Sequence, residues 1–124
     1  YRRIYTRVNL MAIENGLREE ITRLHAQVCS GLADTNRILI LYTLSEKSLN
    51  VSELSEFLGI PQPTASRHLK ILRDRGMVVS ERDAQSVYYR LADPRVIKAL
   101  ELLRAVLNDQ LTAQAQLVRT SIEP

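Results

Sequence analysis

The stretch from Val51 to Gly76, VSELSEFLGIPQPTASRHLKILRDRG, decides the fold of this 124-residue chain. In its first part the apolar residues Val51, Leu54, Phe57 and Leu58 recur at helical spacing, and Gly59 supplies a left-handed stop. Ile60 precedes Pro61 and Gln62 precedes Pro63, so both are pushed toward extended backbone. The next helix is therefore expected to start at Pro63, where a missing N–H costs nothing. Two helices joined by a short turn is the result.

The second helix has two faces. At 100° per residue, Ala65, His68, Leu69 and Leu72 share one arc with Ile71 at its edge, while Ser66, Arg67 and Lys70 occupy the opposite arc. One arc suits packing; the other presents cations and a short hydroxyl, which suit base edges and backbone oxygens. Gln62 and Thr64 sit at the helix start, where backbone donors and the dipole favour phosphate. Any surface helix also carries cations outside, so the segment C-terminal to this helix decides between the two readings. Met77 to Arg82 and Ser86 to Leu91 are both strand-like, separated by the polar turn Asp83, Ala84, Gln85. Helix, turn, helix and hairpin make a winged helix.

The runs LADTNRILILYTL and VSELSEFLGIPQPTASRHLKILRDRGMVVSERDAQSVYYRLAD, from about Leu32 to Asp93, resemble the ArsR/SmtB family of bacterial winged-helix transcriptional repressors. The specific parts are Ser66-Arg67-His68-Leu69, the Leu72 and Gly76 spacing, and the Val87-Tyr88-Tyr89-Arg90-Leu91 ending of the wing. The resemblance implies a mainly α fold with a β-hairpin wing in the order α-α-α-α-β-β-α, and a homodimer formed through the first and last helices. It also implies binding to an inverted-repeat, double-stranded DNA operator and release when an inducer binds. The expected DNA-facing residues are Gln62, Thr64, Ser66, Arg67, His68 and Lys70, with Arg82 and Gln85 on the wing. His68 lies near the packing arc, so its bond is to a phosphate or within the fold. Many relatives have serine where this chain has Pro61, which shifts the start of the reading helix toward Gln62. Many also have glycine where this chain has Ala84, which suggests a turn without an obligatory positive φ, or a slightly longer tip.

The flanking helices point to pairing. Leu10, Leu17, Ile21, Leu24 and Val28 recur at threes, fours and sevens. After the cap-like pair Asp93 and Pro94, a last helix carries Val96, Leu100, Leu103, Leu107 and Leu111, a stripe widened by Ala99, Leu102 and Val106. Either these helices cover the monomer's core, or they also pair across a two-fold axis, as a reader of two half-sites requires.

Metal-sensing relatives use thiolates in a pattern like Glu-Leu-Cys-x-Cys, or histidines and carboxylates on the last helix. Here the two cysteine positions fall on Asn50 and Ser52, and Val96 to Pro124 contains no histidine. No metal at those sites and no cofactor is expected, because the thiolate and imidazole donors are missing. His25 and Cys29 lie four apart on one helix face. They form a thiol-based redox sensor, or half of a metal site completed by a second subunit, or else a solvated histidine beside a cysteine that packs as a small apolar residue.

Composition agrees with one small domain: 45% hydrophobic, a single cysteine, and a net charge of +3. The expected division is a basic arm at 1–10 carrying Arg2, Arg3 and Arg7, a winged-helix and dimerisation domain at 11–120, and a tail at 121–124. No apolar run reaches the roughly 18 residues of a membrane span. No secretory signal is evident at the start, so a cytoplasmic location without membrane contact is expected. Between Gln62 and Arg90 the cations Arg67, Lys70, Arg73, Arg75, Arg82 and Arg90 face only Asp74, Glu81 and Asp83. An enzyme is not expected, for want of a glycine-rich phosphate loop, an HExxH run or a GxSxG elbow. The alternative to specific DNA binding is a winged helix used for protein contact.

Overall fold

The computed structural model describes residues 16–122. The basic arm at 1–10 and Leu10 lie outside the described residues. The chain divides between Ala92 and Asp93 into two compact units.

In the first unit, α1 (Arg18–Arg23) runs into a π-helical segment, Leu24–Cys29, and then a short α turn, α2 (Ser30–Leu32). Asp34, in extended conformation, caps α3 (Thr35–Glu46) by accepting from the backbone N–H of Asn36 at 2.8 Å and of Arg37 at 3.4 Å. Helix α4 (Val51–Leu58) begins with a capping box. Asn50 accepts from the Glu53 N–H at 2.8 Å, and the Glu53 carboxylate accepts from the Asn50 N–H at 3.0 Å. Gly59, at φ 67°, ends that helix in the left-handed conformation expected of it.

Helix α5 spans Gln62–Asp74, one residue earlier than the proline pattern alone suggests. Pro61 takes the cap position at φ −60° and ψ 146°, and its carbonyl accepts from the Ala65 N–H at 3.0 Å. That bond draws Gln62 into the first turn despite the proline behind it. Strands β1 (Val78–Asp83) and β2 (Ser86–Leu91) pair antiparallel, with Val78 opposite Leu91 and Asp83 opposite Ser86. The register leaves a two-residue tip, Ala84-Gln85, rather than the three-residue turn expected from the sequence. Ala84 adopts φ 57°, so the expectation of a turn free of positive φ is corrected. A two-residue hairpin needs a primed turn to follow the strand twist, and a positive φ at its first central residue fits type II′.

The core of this unit is made by Ile40, Leu41 and Leu44 of α3, Leu54 of α4, Ala65, Leu69 and Leu72 of α5, and Leu49, Met77 and Val78 between and beside them. β1 packs on α5 and β2 on α3. Leu49 adds an isolated bridge to Tyr89, with N–H to O distances of 2.8 and 3.2 Å, which fastens the wing to the chain entering α4. Phe57 departs from the pattern. It sits at the edge of the α4 stripe and is 74% exposed, whereas Leu54 at the centre of that stripe is fully buried.

The second unit holds α6 (Arg95–Ile122). Asp93 starts it, accepting from the Arg95 N–H at 2.9 Å and forming a bidentate pair with the Arg95 guanidinium at 2.7 to 3.1 Å. Its carboxyl is held at about 2, chiefly by the Arg95 side-chain bonds and then by the backbone bond. Among the described residues no helix is long and apolar enough to cross a membrane.

Candidate nucleic-acid interface

The two arcs expected of the second helix are separated in space along α5. Ala65, His68, Leu69 and Leu72 are buried, Ile71 is half-buried at the edge, and Ser66, Arg67, Lys70 and Arg73 are exposed. Periodicity produces this division, because the arc that fills the core at the 3.6-residue repeat leaves the other arc to solvent. Lys70 pairs with Asp74 at 3.3 Å across an exposed helical turn. Such surface pairs contribute only about 0.3–0.5 kcal/mol, so Lys70 is easily redirected to a stronger anion.

At the start of α5, Gln62 is exposed and Thr64 half-buried. The Gln62 amide donates to the Ser52 hydroxyl at 3.2 Å, tying the reading helix to the first turn of α4. On the wing, Arg82 and Gln85 are exposed on either side of Ala84. Arg90 reaches Glu81 at 3.4 Å across the hairpin.

His68 does not belong to this face. Its side chain is buried, with Nδ1 3.3 Å from the Arg37 guanidinium and Nε2 3.8 Å from Asp34. A guanidinium can only donate, so Nδ1 accepts and the proton sits on Nε2, facing the Asp34 carboxylate. Asp34 is partly desolvated, which opposes its charge. The backbone N–H groups of Asn36 and Arg37, with His68 and Arg37 nearby, outweigh this and hold its carboxyl below the usual range. Arg37 is also spoken for, donating to the carbonyls of Gly31 at 2.7 Å and Ser30 at 3.2 Å. Burial thus removes His68 from the expected DNA-facing set and makes it the joint between α5 and the start of α3.

Arg75 is likewise turned inward. Its guanidinium donates to the Ala26 carbonyl and the Ser30 hydroxyl, clasping the π-helical segment to the end of the reading helix. Gln27 returns a bond to the Arg75 carbonyl at 3.5 Å. Nothing in the local sequence around Arg75 marks it as different from Arg73. His25 and Cys29 both lie in that π-helical segment, and in the single chain both are exposed. The wider winding of i→i+5 bonding leaves residues four apart just short of a full turn, so the two stay near one face. Asn50, at a thiolate position of metal-sensing relatives, is consumed by the α4 capping box, and Ser52 by the bond from Gln62.

Residues 34–80 match the profile of the bacterial regulatory proteins of the arsR family. The nodulation protein NolR of Rhizobium meliloti is 33% identical over 106 residues, an overlap that takes in 84% of this chain and 87% of NolR. The chain belongs to the ArsR family. The biofilm growth-associated repressor of Agrobacterium fabrum, also similar, is 37% identical over 75 residues; the overlap spans 60% of this chain and 64% of that repressor, just under two thirds of its length. Among solved structures, the homodimeric winged helix-turn-helix DNA-binding domain of Mb0332 from Mycobacterium bovis superposes with a TM-score of 0.68 at 27% identity, covering 78% of this chain and 89% of that domain. The ArsR-family fold accounts for the order of elements from α1 to α6, with the hairpin β1–β2 as the wing.

Proposed function

We propose that this ArsR-family protein is a homodimeric, sequence-specific DNA-binding transcriptional repressor that leaves an inverted-repeat operator on an inducing signal. The observation that carries the reading is the segregation of α5 into a buried arc and an outward arc of Ser66, Arg67 and Lys70, beside Gln62, Thr64 and the wing residues Arg82 and Gln85. Helix α5 enters the major groove, where Arg67 is suited to a guanine edge and Lys70, released from Asp74, to phosphate. The wing lies along the backbone or the adjacent minor groove. A winged helix used only for protein contact has little need of these outward groups together.

A second copy is the natural partner of the exposed apolar side chains on the helices that flank the reader. In α6, Leu102, Leu103, Val106, Leu107 and Leu111 are 52–70% exposed. In the first helical segment Leu17, Ile21 and Leu24 are 41–49% exposed. Apolar surface at this density gains roughly 25 cal/mol per Å² on burial, and two-fold pairing sets two reading helices about one DNA turn apart. With an operator as its partner the protein acts in the cytoplasm, as a regulator and not an enzyme.

The reading is tested by Arg67→Ala in an anisotropy titration with a duplex selected by the protein, at fixed salt. Affinity is expected to fall by about 1–3 kcal/mol, with the dimer intact by sedimentation. Unchanged affinity would remove Arg67 from the interface.

A further inference from the structure

An open hollow of about 410 Å³ lies between the end of α3 and α4, and it uses none of the side chains assigned to DNA. Leu49, Phe57 and Thr43 supply its apolar surface, and Glu46, Glu53 and Glu56 stand around it against the single cation Lys47. Its size lies within the range of small-molecule sites, about 300–1,000 Å³. Phe57 offers an aromatic face to solvent at 74% exposure, the highest value among the described large apolar residues of the first unit. One of the three carboxylates is fixed in place, because Glu53 accepts from the Asn50 N–H at 3.0 Å.

The arrangement selects the occupant. Among the described residues no group of three or more His, Cys, Asp or Glu side chains is gathered closely enough to hold a metal ion. The glutamates are therefore spread around an apolar surface and suit a bulky, diffuse cation rather than a bare one. DNA would be repelled by the rim. A second copy seated on the same patch would bring like charges together. An aromatic face beside carboxylates is the pairing that recognises onium groups, through the ring quadrupole and opposite charge.

We propose that this hollow is a binding site for an amphipathic organic cation, an ammonium or comparable onium ion carrying an aromatic or alkyl body. The charged centre lies among Glu46, Glu53 and Glu56, and the body covers Phe57 and Leu49. Such a site is independent of the DNA-binding reading and stands or falls by ligand binding alone.

The test is calorimetric titration of the full chain at low salt with tetraphenylphosphonium, and with tetraphenylborate, an anion of nearly the same shape. The protein's net charge is +3, so general electrostatics favour the anion and only a local acidic site favours the cation. Tetraphenylphosphonium is expected to bind at one site per chain, at least tenfold tighter than tetraphenylborate. The double variant Glu46→Gln, Glu56→Gln is expected to weaken it about three- to tenfold, and Phe57→Ala by a similar factor. All three positions are exposed, so the fold is retained. Equal binding of the two probes, or binding indifferent to these variants, would overturn the proposal. So would tighter binding of a lysine- and phenylalanine-rich peptide, which would assign the hollow to a protein partner. A change in oligomeric mass for Phe57→Ala would assign it to a second copy.

Discussion

Replacing Ala84 at the tip of the wing with glycine is expected to stabilise the protein, and the size of the effect follows from one dihedral angle. Ala84 holds φ 57° in a two-residue turn closed by the Asp83 and Ser86 pair. An L-residue held at positive φ costs roughly 1–2 kcal/mol, which glycine does not incur. Glycine gives back about 0.5–1 kcal/mol through the greater freedom of its unfolded chain. Ala84→Gly should therefore gain about 0.5–1 kcal/mol, or about 2–8 °C in Tm for a domain of this size. Ala84→Asn should gain less, because asparagine tolerates the region only in part, and Ala84→Val should lose about 1 kcal/mol because its branched side chain tolerates it least. Urea unfolding at one protomer concentration measures the series, since dimer stability depends on concentration. The order Gly, Asn, Ala, Val supports the reasoning. A neutral or destabilising glycine, or a valine as stable as alanine, would refute the strained turn.

Asn50→Ala should lower stability by about 1 kcal/mol, read in the same urea titration, because it removes the acceptor of the α4 capping box. Asp74→Asn is expected to raise operator affinity a few-fold and to leave stability nearly unchanged, since the exposed pair with Lys70 contributes little and its carboxylate repels phosphate. The carboxyls of Asp93, at about 2, and of Asp34, also lowered, titrate below their unfolded value of about 3.9. Their stabilising effect is complete above that unfolded value and is lost as pH falls toward about 2, so acid unfolding of Asp93→Asn between about pH 4 and 2 should be shallower than that of the parent chain. Cys29→Ser is expected to leave operator binding under reducing conditions unaltered in an anisotropy titration. A loss there would give the thiol a structural part.

The parts of the fold legible in the sequence are those where spacing and packing are the same fact. Ala65, His68, Leu69 and Leu72 recur at helical spacing because they fill one side of α5, so their burial is readable from the spacing itself. Gly59 declares its left-handed turn because glycine is the residue that adopts it without strain. Ala84 takes a positive φ against its own preference, forced by a two-residue register that the strand pattern does not fix, and for that reason its positive φ escapes a reading of the sequence. His68 and Arg75 show the limit for the site. Their partners lie 31 and 49 residues away, in Arg37 and Ala26; spacing places His68 in the packing arc but names neither its partner nor that of Arg75. The Leu49 bridge is a single residue and leaves no periodic signal. Phe57 stands at the edge of an apolar stripe, where spacing alone does not decide between core and solvent.

Selection of bound duplexes from a random pool by the purified chain, with the salt dependence of the winning sequence then measured, tests the central claim most directly. A two-fold reader with Arg67 and Lys70 outward on α5 should enrich an inverted repeat whose half-site centres lie about 10–10.5 base pairs, one DNA turn, apart. Its affinity should fall steeply as salt rises, with Arg67→Ala relaxing the preference at one base pair of each half-site. Enrichment of no sequence, or binding indifferent to salt, would contradict the account.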